Sequence, residues 1–164
     1  MIRKFQPQDT DQVMKIWLES SLDSHDFIPA SYWQKNFVAV RDNYLPASTT
    51  YVWEEDGEIK AFASLMNEDK LGALFVDASA RGKGIGKALM FELQKNHNRL
   101  NLQVYSQNKK AVRFYHRCGF QILREDIDTA TGTPELLMSW NKGNVTGDLI
   151  YNYSRTANFQ SSNK

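Results

Sequence analysis

The chain has 164 residues, enough for one domain with a substantial hydrophobic core. Its hydrophobic fraction of 41% and charged fraction of 24% are those of an ordinary soluble protein. No apolar segment reaches the length of a membrane-spanning helix, and the N-terminus lacks the pattern of a signal peptide. The single cysteine, Cys118, excludes an internal disulfide framework and a cysteine-based metal cluster. We therefore expect a cytoplasmic protein without membrane contacts.

The net charge of +1 conceals an uneven distribution along the chain. Residues 1–80 hold seven Lys or Arg and thirteen Asp or Glu, whereas residues 81–117 hold nine Lys or Arg and one acidic residue, Glu92. Such a basic block suits a ligand with several phosphates. The acidic first half would repel a nucleic-acid backbone, so no nucleic-acid partner is expected. It would also attract a positively charged molecule to the surface.

The hydrophobic pattern of the first half predicts a strand, two helices and a β-hairpin. The first helix begins near Asp9 or Thr10, either of which suits an N-cap, and ends between residues 20 and 23. An Asp-Gly step marks the turn of the hairpin. The predicted strands cover residues 1–5, 49–54 and 59–66, and the second helix covers residues 30–44.

The second half alternates strands and helices and then ends in a strand pair. The predicted strands cover residues 71–76, 100–105, 120–127 and 136–140, and the predicted helices cover residues 87–96 and 109–117. A helix between the strands at residues 71–76 and 100–105 makes that pair parallel. The predicted fold class is α/β: a mixed, mostly antiparallel sheet with a central parallel strand pair, covered by about four helices.

The end of the chain has a different character. Residues 141–164 show little helical or alternating pattern, so the sequence predicts a domain at residues 1–140 and a mobile polar tail beyond it. Docking of the tail on a neighbouring chain is an open alternative. The sequence leaves both a monomer and a homodimer open.

The most informative stretch is the turn that follows the central strand, which reads RGKGIGK at residues 81–87. The first N–H groups of a helix have no partner within the helix and, together with the helix dipole, form a ready anion site. Glycines let phosphate oxygens approach the backbone, and the three basic side chains add positive charge. A pyrophosphate is the natural ligand, although the spacing fits neither a Walker A loop nor the dinucleotide-binding fingerprint.

Two sequence patterns carry a family resemblance. The first, Q/R-x-x-G-x-G/A, places Arg81, Gly84 and Gly86 at its defined positions; the second, N-x-x-A-x-x-F-Y-x-x-x-G-F, runs from Asn108 to Phe120. Two patterns in this order are far more specific than either alone. Together with the order of elements they resemble the GNAT family of N-acetyltransferases over about residues 1–140. The stretch WLES…HDFIPASYW is also similar to a bacterial group of small acetyltransferases, some of which act on protein lysines.

The resemblance implies transfer of acetyl from acetyl-CoA to an amine by direct attack on the thioester, without a metal. It also implies that the central strand and the next strand splay apart to admit the pantetheine arm. Asn108 would contact that arm, and the same residue fits an N-cap of the following helix equally well. The residues implied in acetyl-CoA binding are Leu74, Phe75 and Val76 on the strand, Arg81, Gly82, Lys83, Gly84, Ile85, Gly86 and Lys87 in the turn, and Asn108.

Tyr115 matches the general-acid tyrosine of the family, which protonates the departing thiolate. Core packing beside Phe114 and Phe120 is the alternative role. The base is open, because the central strand carries no acidic residue. His25 has a suitable pKa and lies in the loop that, in this family, lines the acceptor side, whereas Asp77 and an ordered water are the other candidates.

The acceptor amine is not determined by these residues. It is a protein amine (lysine or N-terminus) or a small polyamine or aminoglycoside-like amine. Two other function classes remain open: a GNAT fold that binds CoA without turnover, and a nucleotide-binding module that uses the glycine turn.

Overall fold

A computed structural model describes residues 1–144. Seven strands form one sheet in the order β1-β2-β3-β4-β5-β7-β6. β4 and β5 are parallel, and every other neighbouring pair is antiparallel. The strands are β1 (Ile2–Lys4), β2 (Thr49–Glu55), β3 (Glu58–Met66), β4 (Lys70–Val76), β5 (Arg99–Tyr105), β6 (Gln121–Asp128) and β7 (Thr133–Asn141). The predicted fold class and its central parallel pair are confirmed.

The helices are α1 (Thr10–Ser24), α2 (Ala30–Ala39), α3 (Leu45–Ala47), α4 (Ile85–Lys95) and α5 (Lys109–Arg117). Four of them are longer than one turn in the described part of the chain, as predicted. None of the helices in residues 1–144 combines the length and the apolar character needed to cross a membrane.

The predicted second helix, residues 30–44, is not a single α-helix. α2 ends at Ala39, a π-helical turn covers Val40–Tyr44, and α3 follows with Pro46 in its first turn. The helical path therefore continues through Pro46 to Ala47, three residues beyond the predicted end.

Asp9 precedes α1, but its side chain makes no capping bond to that helix. Its two carboxylate oxygens accept hydrogen bonds of 2.8 and 2.9 Å from the guanidinium of Arg3, and one of them also accepts from the Gln6 N–H at 2.8 Å. The bonds from Arg3 hold the pKa of this buried carboxyl below its usual range. Asp9 therefore ties the start of α1 to β1 instead of capping α1 through its side chain.

The sheet buries a hydrophobic core on each face. One core lies under α4 and α5 and contains Leu89, Met90 and Phe120, all fully buried. The other lies under α1 and α2 and contains Val13, Met14 and the strand residues facing them. The apolar positions of α4 recur every three or four residues, so one face of this helix packs on the sheet.

β4 and β5 pair at only two positions, Lys70 with Asn101 and Leu71 with Leu102, which are the first two residues of β4 and the third and fourth of β5. Beyond these two pairs the strands separate, although both continue for several residues. The central sheet therefore has a gap between the ends of its two parallel strands, as the family resemblance implies.

A β-bulge accompanies the separation. On the β3 side of β4, Ser64 pairs with Ala73 and Leu65 pairs with Leu71, which leaves Gly72 without a partner. A bulge bends the strand that carries the extra residue and increases its twist. We attribute the divergence of β4 from β5 to this bulge, because pairing stops at the residue before it.

β7 reaches Asn141, one residue beyond the predicted end of the domain, and a 3₁₀ turn covers Lys142–Asn144. The rest of the predicted tail, residues 145–164, lies outside the described residues.

Candidate active site

The gap exposes backbone groups of β4. The Asp77 N–H donates to the Lys60 carbonyl at 2.7 Å, and hydrogen-bonded pairs alternate along an antiparallel ladder. The backbone groups of Phe75 therefore point toward β3, and those of Leu74 and Val76 point into the gap. Of the three strand residues implied in binding, Leu74 and Val76 have amides available to a ligand in the gap, whereas Phe75 packs its ring against Phe62.

A cavity of about 530 Å³ occupies the gap and has walls on both faces of the sheet. Trp17 and Trp33 line it on the α1–α2 face, and Phe114 and Tyr115 line it on the α5 face. We call it the central cavity. The residues implied by the sequence that line it are Leu74, Phe75, Val76, Arg81, Gly86, Asn108, Tyr115 and His25.

A second cavity of about 430 Å³, the turn cavity, lies at the start of α4. Gly82 and Gly84 have φ angles of +80° and +81°, which glycine adopts without strain, and a Cβ on either would meet no atom within 4 Å. Gly84 is the N-cap of α4, so the unpaired N–H groups of this helix lie at the cavity. The implied residues lining it are Val76, Arg81, Gly82, Gly84, Ile85, Gly86 and Lys87.

The two cavities adjoin. Val76, Arg81, Gly86 and Phe114 line both of them. A Cβ on Gly86 would lie 3.5–3.6 Å from the side chains of Val76, Leu74 and Phe114, so the helix approaches the strand closely here. A long ligand with a charged end and a narrow apolar arm fits this pair of cavities, which agrees with the shape of coenzyme A.

Arg81, Lys83 and Asp77 have surroundings that the sequence does not indicate. Arg81 donates from Nε to the Val76 carbonyl at 3.1 Å and from Nη1 to Asp23 of α1 at 2.8 Å, so it spans from β4 to α1. Lys83 is exposed and lines neither cavity. Asp77 accepts hydrogen bonds from the N–H and the hydroxyl of Ser79, and it lines neither cavity. Its carboxylate forms the turn.

Tyr115 lies on α5 with its ring packed edge-on against Phe114 and Phe120, at centroid distances of 5.4 and 5.9 Å. Its hydroxyl has no hydrogen-bond partner within residues 1–144. Burial raises the pKa of this phenol above its usual value, so it stays protonated at neutral pH. The ring therefore packs in the core, and the residue also lines the central cavity.

Asn108 joins the two sides of the cavity. Its Oδ1 accepts the Ala111 N–H at 3.3 Å, which caps α5, and its Nδ2 lies 3.4 Å from Nε2 of His25. Since Oδ1 is the acceptor of the cap, Nδ2 is the donor toward His25. The proton of a neutral His25 then lies on Nδ1. The predicted N-cap role of Asn108 is confirmed, and the contact with His25 was not predicted.

His25 follows α1 and is buried in an aromatic cluster. Its ring stacks on Trp33 at 4.8 Å and contacts Tyr105 and Phe27 edge-on at 5.3 and 5.8 Å. Burial lowers the pKa of His25, so the imidazole is neutral at neutral pH. Three polar atoms of this wall, His25 Nδ1, Ser21 Oγ and Trp33 Nε1, are buried without a partner among the described residues.

Several residues of the central cavity were missed by sequence reasoning. They include Gln103 and Tyr105 at the end of β5 and Glu135 near the start of β7. Glu135 is the only carboxylate in the cavity lining among residues 1–144. No motif marks it, because in the sequence it lies between a predicted turn and the apolar strand predicted at residues 136–140. In the same part of the chain, no three His, Cys, Asp or Glu side chains form a group that could hold a metal ion.

Comparison with known proteins decides the family. The profile described as "Acetyltransferase (GNAT) domain" matches residues 22–141. The chain belongs to the GNAT family. As a GNAT protein it is an acetyl-CoA-dependent N-acetyltransferase, and the prediction of family, activity and co-substrate is confirmed.

Curated relatives of this GNAT enzyme come from bacteria. Peptidyl-lysine N-acetyltransferase YiaC of Escherichia coli strain K12 is 41% identical over 140 residues, which cover 85% of this chain and 96% of the relative. Peptidyl-lysine N-acetyltransferase YjaB of the same strain is 29% identical over 128 residues, which cover 77% of this chain and 86% of the relative.

Solved structures share its fold. The solution structure of apo YjaB from E. coli has a TM-score of 0.75 at 28% identity, covering 85% of this chain and 96% of that one. The PaiA N-acetyltransferase of Thermoplasma acidophilum, crystallised with coenzyme A, has a TM-score of 0.72 at 20% identity, covering 86% of this chain and 98% of that one. At that identity the second similarity concerns the fold alone.

Proposed function

We propose that this GNAT enzyme transfers acetyl from acetyl-CoA to the ε-amine of lysine residues in proteins. The observation that carries the proposal is the 41% identity, over nearly the full length of the relative, to a protein named peptidyl-lysine N-acetyltransferase. The composition of the central cavity supports it, since one wall combines aromatic rings with a carboxylate.

In this proposal the donor lies across both cavities. The N–H groups at the start of α4 and the side chain of Lys87 hold the pyrophosphate in the turn cavity. The backbone of Leu74 and Val76 binds the pantetheine arm in the strand gap, and an N–H of that segment, Val76 or a near neighbour, stabilises the oxyanion. The thioester is then placed in the central cavity, within the gap that the bulge opens.

The acceptor enters from the α1–α2 side. A lysine side chain has an apolar stem and a charged end, so it is suited to a wall of aromatic rings next to a carboxylate. Trp33 and Tyr105 supply such rings in the lining of the central cavity, and Glu135 supplies the carboxylate. Once neutral, the amine attacks the thioester carbon, the nitrogen loses a proton to solvent, the C–S bond breaks, and Tyr115 donates its proton to the thiolate.

The test is a panel of acceptors assayed with acetyl-CoA and the full chain. We expect CoA release with a lysine peptide whose N-terminus is blocked, and mass spectrometry should place the acetyl group on the lysine. The matched control peptide carries arginine in place of lysine and should give only the background rate. Turnover with spermidine or with a free N-terminus, but not with the blocked lysine peptide, would contradict the lysine proposal.

A further inference from the structure

The base that deprotonates the acceptor is the part of the site that the family patterns leave open. Of the candidates from the sequence, Asp77 is bonded to Ser79 and lies outside both cavities. His25 lines the central cavity, but Asn108 faces its Nε2 and its Nδ1 is buried. Neither side chain presents a free proton-accepting atom to the cavity.

Glu135 does present such an atom. The side chain is half-buried, and one carboxylate oxygen accepts a hydrogen bond of 3.2 Å from Gln103, while the other has no partner within residues 1–144. In the ladder Glu135 pairs with Tyr105 on β5, so both side chains leave the same face of the sheet. This is the α1–α2 face, because Tyr105 packs against His25 and Phe27 there.

Glu135 and Tyr115 therefore lie on opposite faces of the sheet. Tyr115 packs with the core under α4 and α5, and Glu135 stands on the other face, yet both line the central cavity. An acid for the leaving thiolate and a base for the incoming amine should approach the thioester from different sides. The two residues satisfy this arrangement across the strand gap.

We propose that Glu135 receives the protonated amine of the acceptor and accepts its proton before acetyl transfer. The carboxylate takes one H⁺ from the ammonium, the nitrogen lone pair forms the C–N bond, and the nitrogen then releases a second H⁺ to solvent as the C–S bond breaks. Tyr115 protonates the thiolate, and the two side chains return to their starting states through solvent. This assignment rests on the acetyl transfer proposed above.

The surroundings of Glu135 support its role as a base. Burial, and then the negative charge of Asp128, raise the pKa of this carboxyl, which makes it a better proton acceptor than an exposed glutamate. Lys70 acts in the opposite direction. The charged or titratable groups that face Glu135 are Tyr32 on α2, Lys70 on β4, Tyr105 on β5, and Asp126 and Asp128 on β6.

The experiment compares Glu135→Gln with Glu125→Gln, a control on exposed β6 that loses the same charge and lines neither cavity. At pH 7 we expect kcat/KM of Glu135→Gln to fall by about 10²–10⁴-fold, with CoA affinity and Tm unchanged. A lysine amine has a pKa near 10.4, so raising the pH supplies free amine without a base. The loss of kcat/KM in Glu135→Gln relative to wild type should therefore shrink roughly tenfold or more between pH 7 and pH 9. The Glu125→Gln control should match wild type at every pH.

A loss of kcat/KM in Glu135→Gln that stays constant with pH would show a structural or binding role and would overturn the proposal. Near wild-type activity of this variant at pH 7 would also overturn it. Glu135→Asp keeps the carboxylate; it should retain more activity than Glu135→Gln and the pH profile of wild type, which tests the role even where the glutamine variant is unstable. A wild type that uses only spermidine contradicts the lysine proposal alone. The same variants are then assayed with spermidine, whose amines are also protonated.

Discussion

The proposed donor end and the proposed acceptor end of the site, which together span the two cavities, are built in different ways. The end toward the acetyl donor comes from one continuous segment, residues 74–87, in which a strand, a turn and a helix follow one another. The end toward the acceptor comes from separate segments: His25 after α1, Trp33 on α2, Tyr105 on β5 and Glu135 on β7. One end uses mainly backbone N–H groups, and the other uses side chains.

This difference explains why only one end is recognisable in a sequence. Binding by backbone groups needs glycines at fixed spacing, because the φ angles near +80° at Gly82 and Gly84 strain any other residue. Binding by side chains has no such requirement, since any element that reaches the cavity can supply a ring or a carboxylate. The donor is thus common to a family, and the acceptor must be inferred from the individual site.

The comparison between the end that sequence patterns mark and the end that they do not can be tested by mutation. The largest effect on activity is expected at Tyr115, a residue of the second sequence pattern. Tyr115→Phe keeps the ring but deletes the O–H, so kcat should fall about 10²–10⁴-fold while CoA affinity and Tm change little. Steady-state acetylation and thermal unfolding measure both. If packing is its only role, Tyr115→Phe will be active and only Tyr115→Ala will suffer, through a loss of roughly 3 kcal/mol of stability.

A smaller effect is expected at the donor end. Gly84→Glu places a carboxylate at the start of α4, where the pyrophosphate should bind, and we expect CoA affinity to fall about 10- to 100-fold, since hydrogen bonds to charged groups contribute about 1.5–3 kcal/mol. Gly57→Glu is the control: its φ is +80°, a Cβ there meets nothing within 4 Å, and it lies in the β2–β3 hairpin. Calorimetry that shows equal CoA affinity in both variants would remove the turn cavity as the pyrophosphate site.

The smallest effect concerns Asn108, which connects the two ends. Asn108→Ala removes the cap of α5 and should cost about 1 kcal/mol of stability, whereas Asn108→Ser retains a capping oxygen and should be nearly neutral. Both variants lose the Nδ2 group that lies beside His25. Chemical denaturation separates the roles: an equal loss in both variants would show that the contact with His25, and not the cap, stabilises the fold.

Much of the fold was predictable because its signals are periodic and local. The boundaries of α5 agree with the prediction, since Asn108 and Gly119 mark its two ends. The second helix was predicted as one element because its apolar pattern continues past Ala39, and the pattern does not distinguish an α turn from the π turn found there. The bulge at Gly72 was missed because an isolated glycine in an apolar run has several interpretations.

The sequence by itself determined the strand–turn–helix at residues 71–95, its glycines and the cap of α5, because each depends on residues a few positions apart whose geometry is set by the backbone. Only the tertiary structure placed Asn108 beside His25, 83 residues away in the chain, and Glu135 in the same cavity as Tyr115. Those positions depend on the insertion of β7 between β5 and β6, on the register of that pairing and on the gap that the bulge opens. Contacts between residues far apart in the chain determine the strand order, the register and the gap. No fixed spacing of residues in the sequence predicts such contacts.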